Sequence, residues 1–219
     1  MTSRQSRPLA RRALAAAAVG LLALILTGCG ASAATPPGAN AAPAATAAST
    51  ACPKSQPAPL AAGETRTVVI KTSKGDITLK IEGSLSPIAA GNFVALAACG
   101  YYDGVVFHRV VPGFVIQGGD PTGTGGGGPG YAIQDEPVTA TYRRGTLAMA
   151  RSSQPNSQGS QFFIVLADDA AQALASYNTY AIFGEVTAGM EAVDSVAAAA
   201  DQELPTNPIV MDSVTVTNP

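Results

Sequence analysis

Three side chains near the middle of the sequence could form one site. Arg109, Phe114 and Gln117 fall on two adjoining short apolar runs that are typical of strands. This arrangement places one cation and one amide beside an apolar surface. An isolated arginine in a strand is more often solvated or part of a surface ion pair, so the pattern alone leaves both interpretations open.

Two other patterns suggest sites but are better explained without one. Gly123–Gly128 satisfies the GxGxxG pattern, yet Pro129-Gly130 follows where a dinucleotide site requires a helix, so we expect a flexible loop. Adjacent carboxylates in polar stretches are ordinarily solvated, and this applies to Asp135-Glu136 and Asp168-Asp169.

His108 is the only histidine, and it could in principle serve a hydrolase with Ser160 or Ser153 as nucleophile. Activation of a nucleophile needs a positioned base and an orienting group, and the sequence has no GxSxG elbow. A residue next to Arg109 in a strand should also point to the opposite face. We therefore expect a structural histidine.

The overall composition argues for a folded domain without a nucleic-acid partner. The chain has 219 residues, of which 47% are hydrophobic and 13% charged, and this is enough for one domain with a sizeable core. A formal net charge of -2 gives no electrostatic reason to expect nucleic-acid binding.

The N-terminus has the features of a bacterial lipoprotein signal peptide. Arg4, Arg7, Arg11 and Arg12 precede an apolar run from Ala13 to Leu26, which is short for a membrane-spanning helix. The run ends in Leu26-Thr27-Gly28-Cys29, which resembles a lipobox. We expect residues 1–28 to be removed and Cys29 to carry lipid on the outer face of a bacterial cytoplasmic membrane or the periplasmic side of the envelope. A plain signal peptide or an uncleaved anchor is the alternative.

Residues 29–63 predict a disordered tether. They are rich in Ala, Pro, Thr and Ser and have almost no large apolar side chains, so they cannot offset their own ordering entropy. As a coil the tether would span roughly 30 Å. The folded domain should then occupy residues 64–219.

Cys52 and Cys99 could form a disulfide, which export would permit. Closing a loop of this length would contribute roughly 4 kcal/mol on a chain-entropy model. Two unpaired thiols are the alternative. The spacing of the cysteines and the single histidine do not fit a zinc site, so no metal is expected.

The segments that must position the candidate residues are short strands. A hairpin is predicted across Ser73-Lys74-Gly75, and Ser86-Pro87 predicts the capped start of a helix that ends at Gly100. A second helix is expected over 190–199. Many short strands and only two helices favour a closed or nearly closed β-barrel. The predicted strands cover 65–71, 76–82, 105–108, 114–117, 146–150, 162–166, 180–185 and 209–217.

Four sequence strings carry most of the information about function: FHRVVPGFVIQGGD (107–120), LAMAR (147–151), GSQFFI (159–164) and YAIFGEV (180–186). Together, in this order, they resemble the cyclophilin family, and the likeness covers 67–216. The resemblance implies a mainly β protein, a closed eight-stranded antiparallel barrel capped by two helices. It also implies a peptidyl-prolyl cis-trans isomerase that needs no cofactor.

The resemblance further implies a role for each candidate residue. Arg109 matches the catalytic arginine, and Gln117 and Gln161 match the residues that orient the arginine and the substrate backbone. The remaining matches line the proline pocket and peptide groove: Phe114, Val115, Ala150, Arg151, Phe163, Leu174 and Tyr180. The chain lacks Trp, which many members place at the pocket rim.

The expected function is rotation of X-Pro bonds in unfolded or extended Pro-containing polypeptides, in support of the folding of exported proteins. We expect a monomer that meets the membrane only through its lipid. The alternative is a non-catalytic proline-binding or chaperone module on the same fold, although retention of Arg109, Phe114, Gln117 and Phe163 favours the enzyme.

Overall fold

The computed structural model describes residues 51–217. The predicted signal peptide, Cys29 and the first part of the predicted tether lie outside the described residues. The described part has eight strands and three helices. The strands are β1 (Thr65–Thr72), β2 (Gly75–Glu82), β3 (Arg109–Val111), β4 (Val115–Gly118), β5 (Thr146–Met149), β6 (Phe162–Val165), β7 (Ile182–Ala188) and β8 (Met211–Thr217). The helices are α1 (Pro87–Ala98), α2 (Asp168–Tyr177) and α3 (Met190–Ala198).

The strands form one antiparallel sheet in the order β3-β4-β6-β5-β7-β2-β1-β8. β3 and β8 therefore stand at the two ends of this order. The residues ahead of them meet in an isolated bridge between Val106 and Val210, and the Phe107 N–H donates to the Ile209 carbonyl at 2.9 Å. The predicted strand over 105–108 is reduced to this bridge, and β3 begins at Arg109.

The number of helices differs from the prediction of two, because α2 was not recognised. Its buried face consists of Ala170, Ala171 and Leu174, and alanine contributes little to an amphipathic pattern. Asp168 and Asp169 occupy its first turn, where carboxylates favour the positive end of the helix dipole.

The core lies between the sheet and α1. Period-two alternation buries Ile77, Leu79 and Ile81 of β2. From α1, Phe93 packs against the aromatic rings of Tyr102, Phe162 and Phe183, with ring centroids 5.1–5.2 Å apart. Because β6, β7, the turn that carries Tyr102 and the helix meet at this cluster, it fixes the sheet that carries the site. No helix within residues 51–217 is both long enough and apolar enough to cross a membrane.

The prediction that disorder extends to residue 63 is wrong for residues 51–63, which we call the strap. The strap lies against the domain: Cys52 forms a disulfide with Cys99, and Leu60 is only 7% exposed. The Leu60 N–H donates to the Pro87 carbonyl at 2.9 Å. The strap is ordered because residues far away in the sequence bind it. Its own composition does not reveal these contacts.

Two glycines let the strap approach closely. A Cβ at Gly91, inside α1, would lie 2.3 Å from the Ala58 carbonyl oxygen. A Cβ at Gly83 would lie 2.3 Å from the carbonyl oxygen of Ala61. Since a glycine inside a helix costs about 0.5–1 kcal/mol relative to alanine, Gly91 is explained by this contact.

Candidate active site

Strand pairing brings the candidate residues into one row across the sheet. Arg109 of β3 is the register partner of Gln117 of β4, and Gln117 is the partner of Phe163 of β6. Phe163 is in turn opposite Ala148 of β5. Directly opposed residues place their side chains on the same face, so the cation, the amide and the aromatic ring meet there.

A cavity of about 270 Å³ opens on this face. Its apolar walls come from Phe114 and Val115 at β4, Phe163 of β6, and Leu174 of α2, the helix that the sequence did not reveal. The ring of Tyr180 packs edge-on against Phe163, with centroids 5.4 Å apart. Nine of the ten predicted site residues line this one cavity: Arg109, Phe114, Val115, Gln117, Ala150, Arg151, Phe163, Leu174 and Tyr180.

The tenth predicted residue, Gln161, lies beside the cavity in a second groove. This groove, of about 670 Å³, shares Gln117, Ala150 and Arg151 with the first. The Gln117 Nε2 donates to Gln161 Oε1 at 2.9 Å. Gln161 Nε2 in turn donates to the carbonyls of Gly125 and Gly127, each at 2.9 Å. Gln161 therefore connects the Gln117 amide to the glycine-rich segment 123–128, which we call the glycine loop.

That glycine loop is tied to Asp120, which the prediction of a flexible loop did not foresee. The buried Asp120 carboxylate accepts hydrogen bonds from the backbone N–H groups of Thr122, Thr124, Gly125 and Gly127. Burial opposes ionisation of Asp120, but the hydrogen bonds from Gly127, Thr122 and Gly125 outweigh it and lower its pKa to about 2. The loop is thus organised around a carboxylate that is ionised at neutral pH and accepts from its backbone N–H groups.

Arg151, at the junction of the two cavities, is held by protein groups on several sides. Its guanidinium forms an ion pair with Asp135 at 3.1 Å and donates to the carbonyls of Ser152 and Gln154. The prediction that Asp135 is merely solvated is therefore wrong, because it accepts this pair and a hydrogen bond from Gln158 Nε2 at 3.0 Å.

Glu136 also has a structural role that the prediction of a solvated pair missed. Its carboxylate accepts hydrogen bonds from the backbone N–H groups of Ile88 and Ala89 at 2.9 and 2.8 Å, at the start of α1. Ser86 makes no side-chain capping hydrogen bond, so the predicted cap is supplied by a residue 50 positions later. Glu136 satisfies backbone donors that the first turn of a helix leaves free.

His108 is 4% exposed and lines neither of these two cavities. Burial lowers its pKa, so the imidazole is neutral at pH 7. Ser160 Oγ donates instead to the Gly119 carbonyl at 2.6 Å. The geometry gives no support to a histidine-activated serine.

One polar contact of Arg109 could not be found from the sequence. Its Nε donates to Glu203 Oε1 at 2.8 Å, across 94 positions of sequence. Glu203 lies in a polar loop between α3 and β8, where a carboxylate carries no pattern that separates it from a solvated one.

Comparisons with known proteins agree with this geometry. The family model of the cyclophilin type peptidyl-prolyl cis-trans isomerase/CLD matches residues 67–216. A probable peptidyl-prolyl cis-trans isomerase A of Mycobacterium leprae is 40% identical over 171 residues, which cover 68% of this chain and 91% of that protein.

Solved structures show the same fold. A cyclophilin type peptidyl-prolyl cis-trans isomerase of Cryptosporidium parvum has a TM-score of 0.64 at 37% identity, covering 71% of this chain and all of that one. A second structure of that protein, in the presence of the dipeptide Ala-Pro, has a TM-score of 0.63 at 38% identity and covers 70% of this chain and 99% of that one. The fold is therefore a mainly β half-barrel of eight antiparallel strands with three helices. The chain belongs to the cyclophilin family and is a peptidyl-prolyl cis-trans isomerase.

Proposed function

We propose that Arg109 is the main catalytic residue of this isomerase and that the 270 Å³ cavity holds the proline ring. The observation that carries the proposal is the position of Arg109 on the wall of a cavity that also has an apolar side. Phe114, Val115, Phe163 and Leu174 supply surface for the ring, and burial of their apolar area favours its binding.

The physical task is to lower a rotational barrier. Resonance gives the peptide C–N bond partial double-bond character and a barrier of about 18–20 kcal/mol. Uncatalysed X-Pro bonds therefore interconvert over tens to hundreds of seconds. No covalent bond is made or broken, so the enzyme must favour the twisted state, in which that resonance is lost.

Arg109 can favour this state in two ways. Its planar fork of donors can hold the substrate carbonyl, and it can donate towards the proline nitrogen. That nitrogen has a localised lone pair only when the bond is twisted, so the interaction is stronger in the transition state than in the ground state. Differential binding of this kind raises the rate of rotation.

Gln117 has the geometry to orient the substrate backbone. Because its Nε2 donates to Gln161 Oε1, its own Oε1 is the group left to accept a hydrogen bond from the substrate. An amide oxygen can accept a hydrogen bond from a peptide N–H of the substrate. Gln161, fixed by the Gly125 and Gly127 carbonyls, holds the Gln117 amide in that orientation.

The test is an isomerisation assay with an X-Pro peptide, comparing the wild-type chain with Arg109→Ala. We expect a loss of roughly 10²–10³ in kcat/KM, the scale of losing a transition-state hydrogen-bond donor. Arg66→Ala removes the same charge from β1, where Arg66 pairs with Glu64, and serves as the control, with no loss expected. An Arg109→Ala variant as fast as wild type would refute the assignment.

We propose further that the enzyme is an exported lipoprotein whose clients are unfolded, Pro-containing exported proteins. The basic N-terminus, the apolar run and Leu26-Thr27-Gly28-Cys29 support export and lipidation. The Cys52–Cys99 disulfide supports an oxidising compartment. In a bacterial host, Cys29→Ser should move the protein from the membrane fraction to the soluble fraction. Continued membrane retention of Cys29→Ser would count against lipidation.

A further inference from the structure

The strand that carries Arg109 is held from outside the sheet by a loop. β3 is an end strand, with β4 on one side. On its other side, the Val110 N–H donates to the Glu203 carbonyl at 2.8 Å. The backbone of Glu203 is therefore docked on the strand, one residue from the arginine.

The loop around Glu203 is itself braced by local hydrogen bonds. The Thr206 N–H donates to Asp201 Oδ1 at 2.9 Å, and Gln202 Nε2 donates to the Leu204 carbonyl at 2.8 Å. These bonds enclose Glu203 on both sides in sequence. Its side chain therefore extends from a backbone that is positioned with respect to β3.

The contact between the side chains engages one donor of Arg109 and leaves the others for the cavity. Glu203 Oε1 accepts from Nε at 2.8 Å, while Arg109 remains 33% and Glu203 60% exposed. Arginine has five N–H donors in a fixed plane, so holding Nε leaves the four donors on its two terminal nitrogens. Within residues 51–217 the protein offers no hydrogen bond to those terminal nitrogens.

We propose that Glu203 is a positioning residue for catalysis: its carboxylate holds Nε of Arg109 and thereby turns the terminal nitrogens towards the proline cavity. An exposed pair of this kind adds little to stability. We expect its effect on the rate to exceed its effect on stability, because donors that are already oriented need no reorganisation during the reaction. A free arginine side chain would instead populate several rotamers.

The inference rests on the proposed catalytic role of Arg109, and its test keeps the two apart. We would measure kcat, KM and the thermal unfolding midpoint of the full chain for Glu203→Ala and Glu203→Gln. Glu203→Ala should lower kcat about fivefold with little change in KM, because a lost orientation weakens transition-state contacts. Glu203→Gln keeps an acceptor oxygen for Nε and should retain at least half of the wild-type kcat.

Two further variants separate positioning from a structural effect. Glu191→Ala removes an exposed carboxylate from α3 and should leave kcat unchanged. In an Arg109→Ala background, Glu203→Ala should have no further effect, because Glu203 acts through the arginine.

The outcomes are distinct. If Arg109→Ala is slow but Glu203→Ala is as fast as wild type, the positioning role is overturned and the catalytic role stands. An equal loss from Glu203→Ala in both backgrounds, or a matching fall in the unfolding midpoint, also overturns positioning. If Arg109→Ala retains the wild-type rate, the catalytic assignment fails, and the positioning role fails with it.

Discussion

The cavity beside Arg109 and the strap of residues 51–63 are both built from contacts between distant parts of the chain, but the sequence specifies them differently. The cavity residues sit on paired strands, whose register places Arg109, Gln117 and Phe163 side by side. The strap contains no strand or helix. It is held by the Cys52–Cys99 disulfide, by Leu60, and by close approach to glycines on the domain.

This difference separates two kinds of order. A strand pair orders many residues at once, because each hydrogen-bonded register position fixes the next. Ordering a residue without such pairing still costs about 1–2 kcal/mol in backbone entropy. The strap must therefore offset this cost with a few strong constraints. We expect changes in the strap to alter stability and changes in the cavity to alter rate.

The largest effect on the strap should come from the disulfide. In a Cys29→Ser background, which lacks the proposed lipid, Cys99→Ser should lower the free energy of unfolding by roughly 4 kcal/mol on the chain-entropy model. The kcat/KM for an X-Pro peptide should be unchanged, because neither cysteine lines the cavity. Urea unfolding and the isomerisation assay measure the two quantities.

Cys52→Ser is the matched control for that experiment. Either single variant removes the same bond, so both should lower stability equally, and the double variant should add little. A fall in kcat/KM comparable to that of Arg109→Ala would show that the strap and the cavity are not separable in this way.

Much of the fold and most of the site could be predicted from the sequence. Alternating apolar residues indicate the β1–β2 hairpin, and long specific strings carry the resemblance that places Arg109, Gln117 and Phe163. If the strands pair in the same register as in the family, the residues at the matching positions lie side by side as they do there. Nine of the ten predicted site residues accordingly line one cavity.

What the sequence did not reveal depends on single long-range contacts. Helix α2 was missed because alanines form most of its buried face. Glu203, Glu136 and Asp135 are acidic residues in polar stretches, and only the folded chain shows that each faces a particular donor. The order of the strap was missed for the same reason, because the composition of a segment says nothing about the surface against which that segment packs.

The smallest effect, and the sharpest test of strap docking, should come from Gly91. In a helix with a free face, Gly→Ala stabilises by about 0.5–1 kcal/mol. Here the new Cβ would lie 2.3 Å from the Ala58 carbonyl oxygen and 2.8 Å from the Leu60 nitrogen, and both are backbone atoms that cannot rotate away. We therefore expect Gly91→Ala to lower the free energy of unfolding by about 1 kcal/mol, with kcat/KM unchanged.

The sign of the Gly91 effect should depend on whether the strap is anchored. With Cys52→Ser, the strap can move off α1 at lower cost, so Gly91→Ala should become neutral or stabilising as helix propensity takes over. A double-mutant cycle from urea unfolding measures this coupling. If Gly91→Ala stabilises the protein even with the disulfide intact, the strap does not rest on the helix, and the contrast between an anchored strap and a register-built cavity fails at the strap.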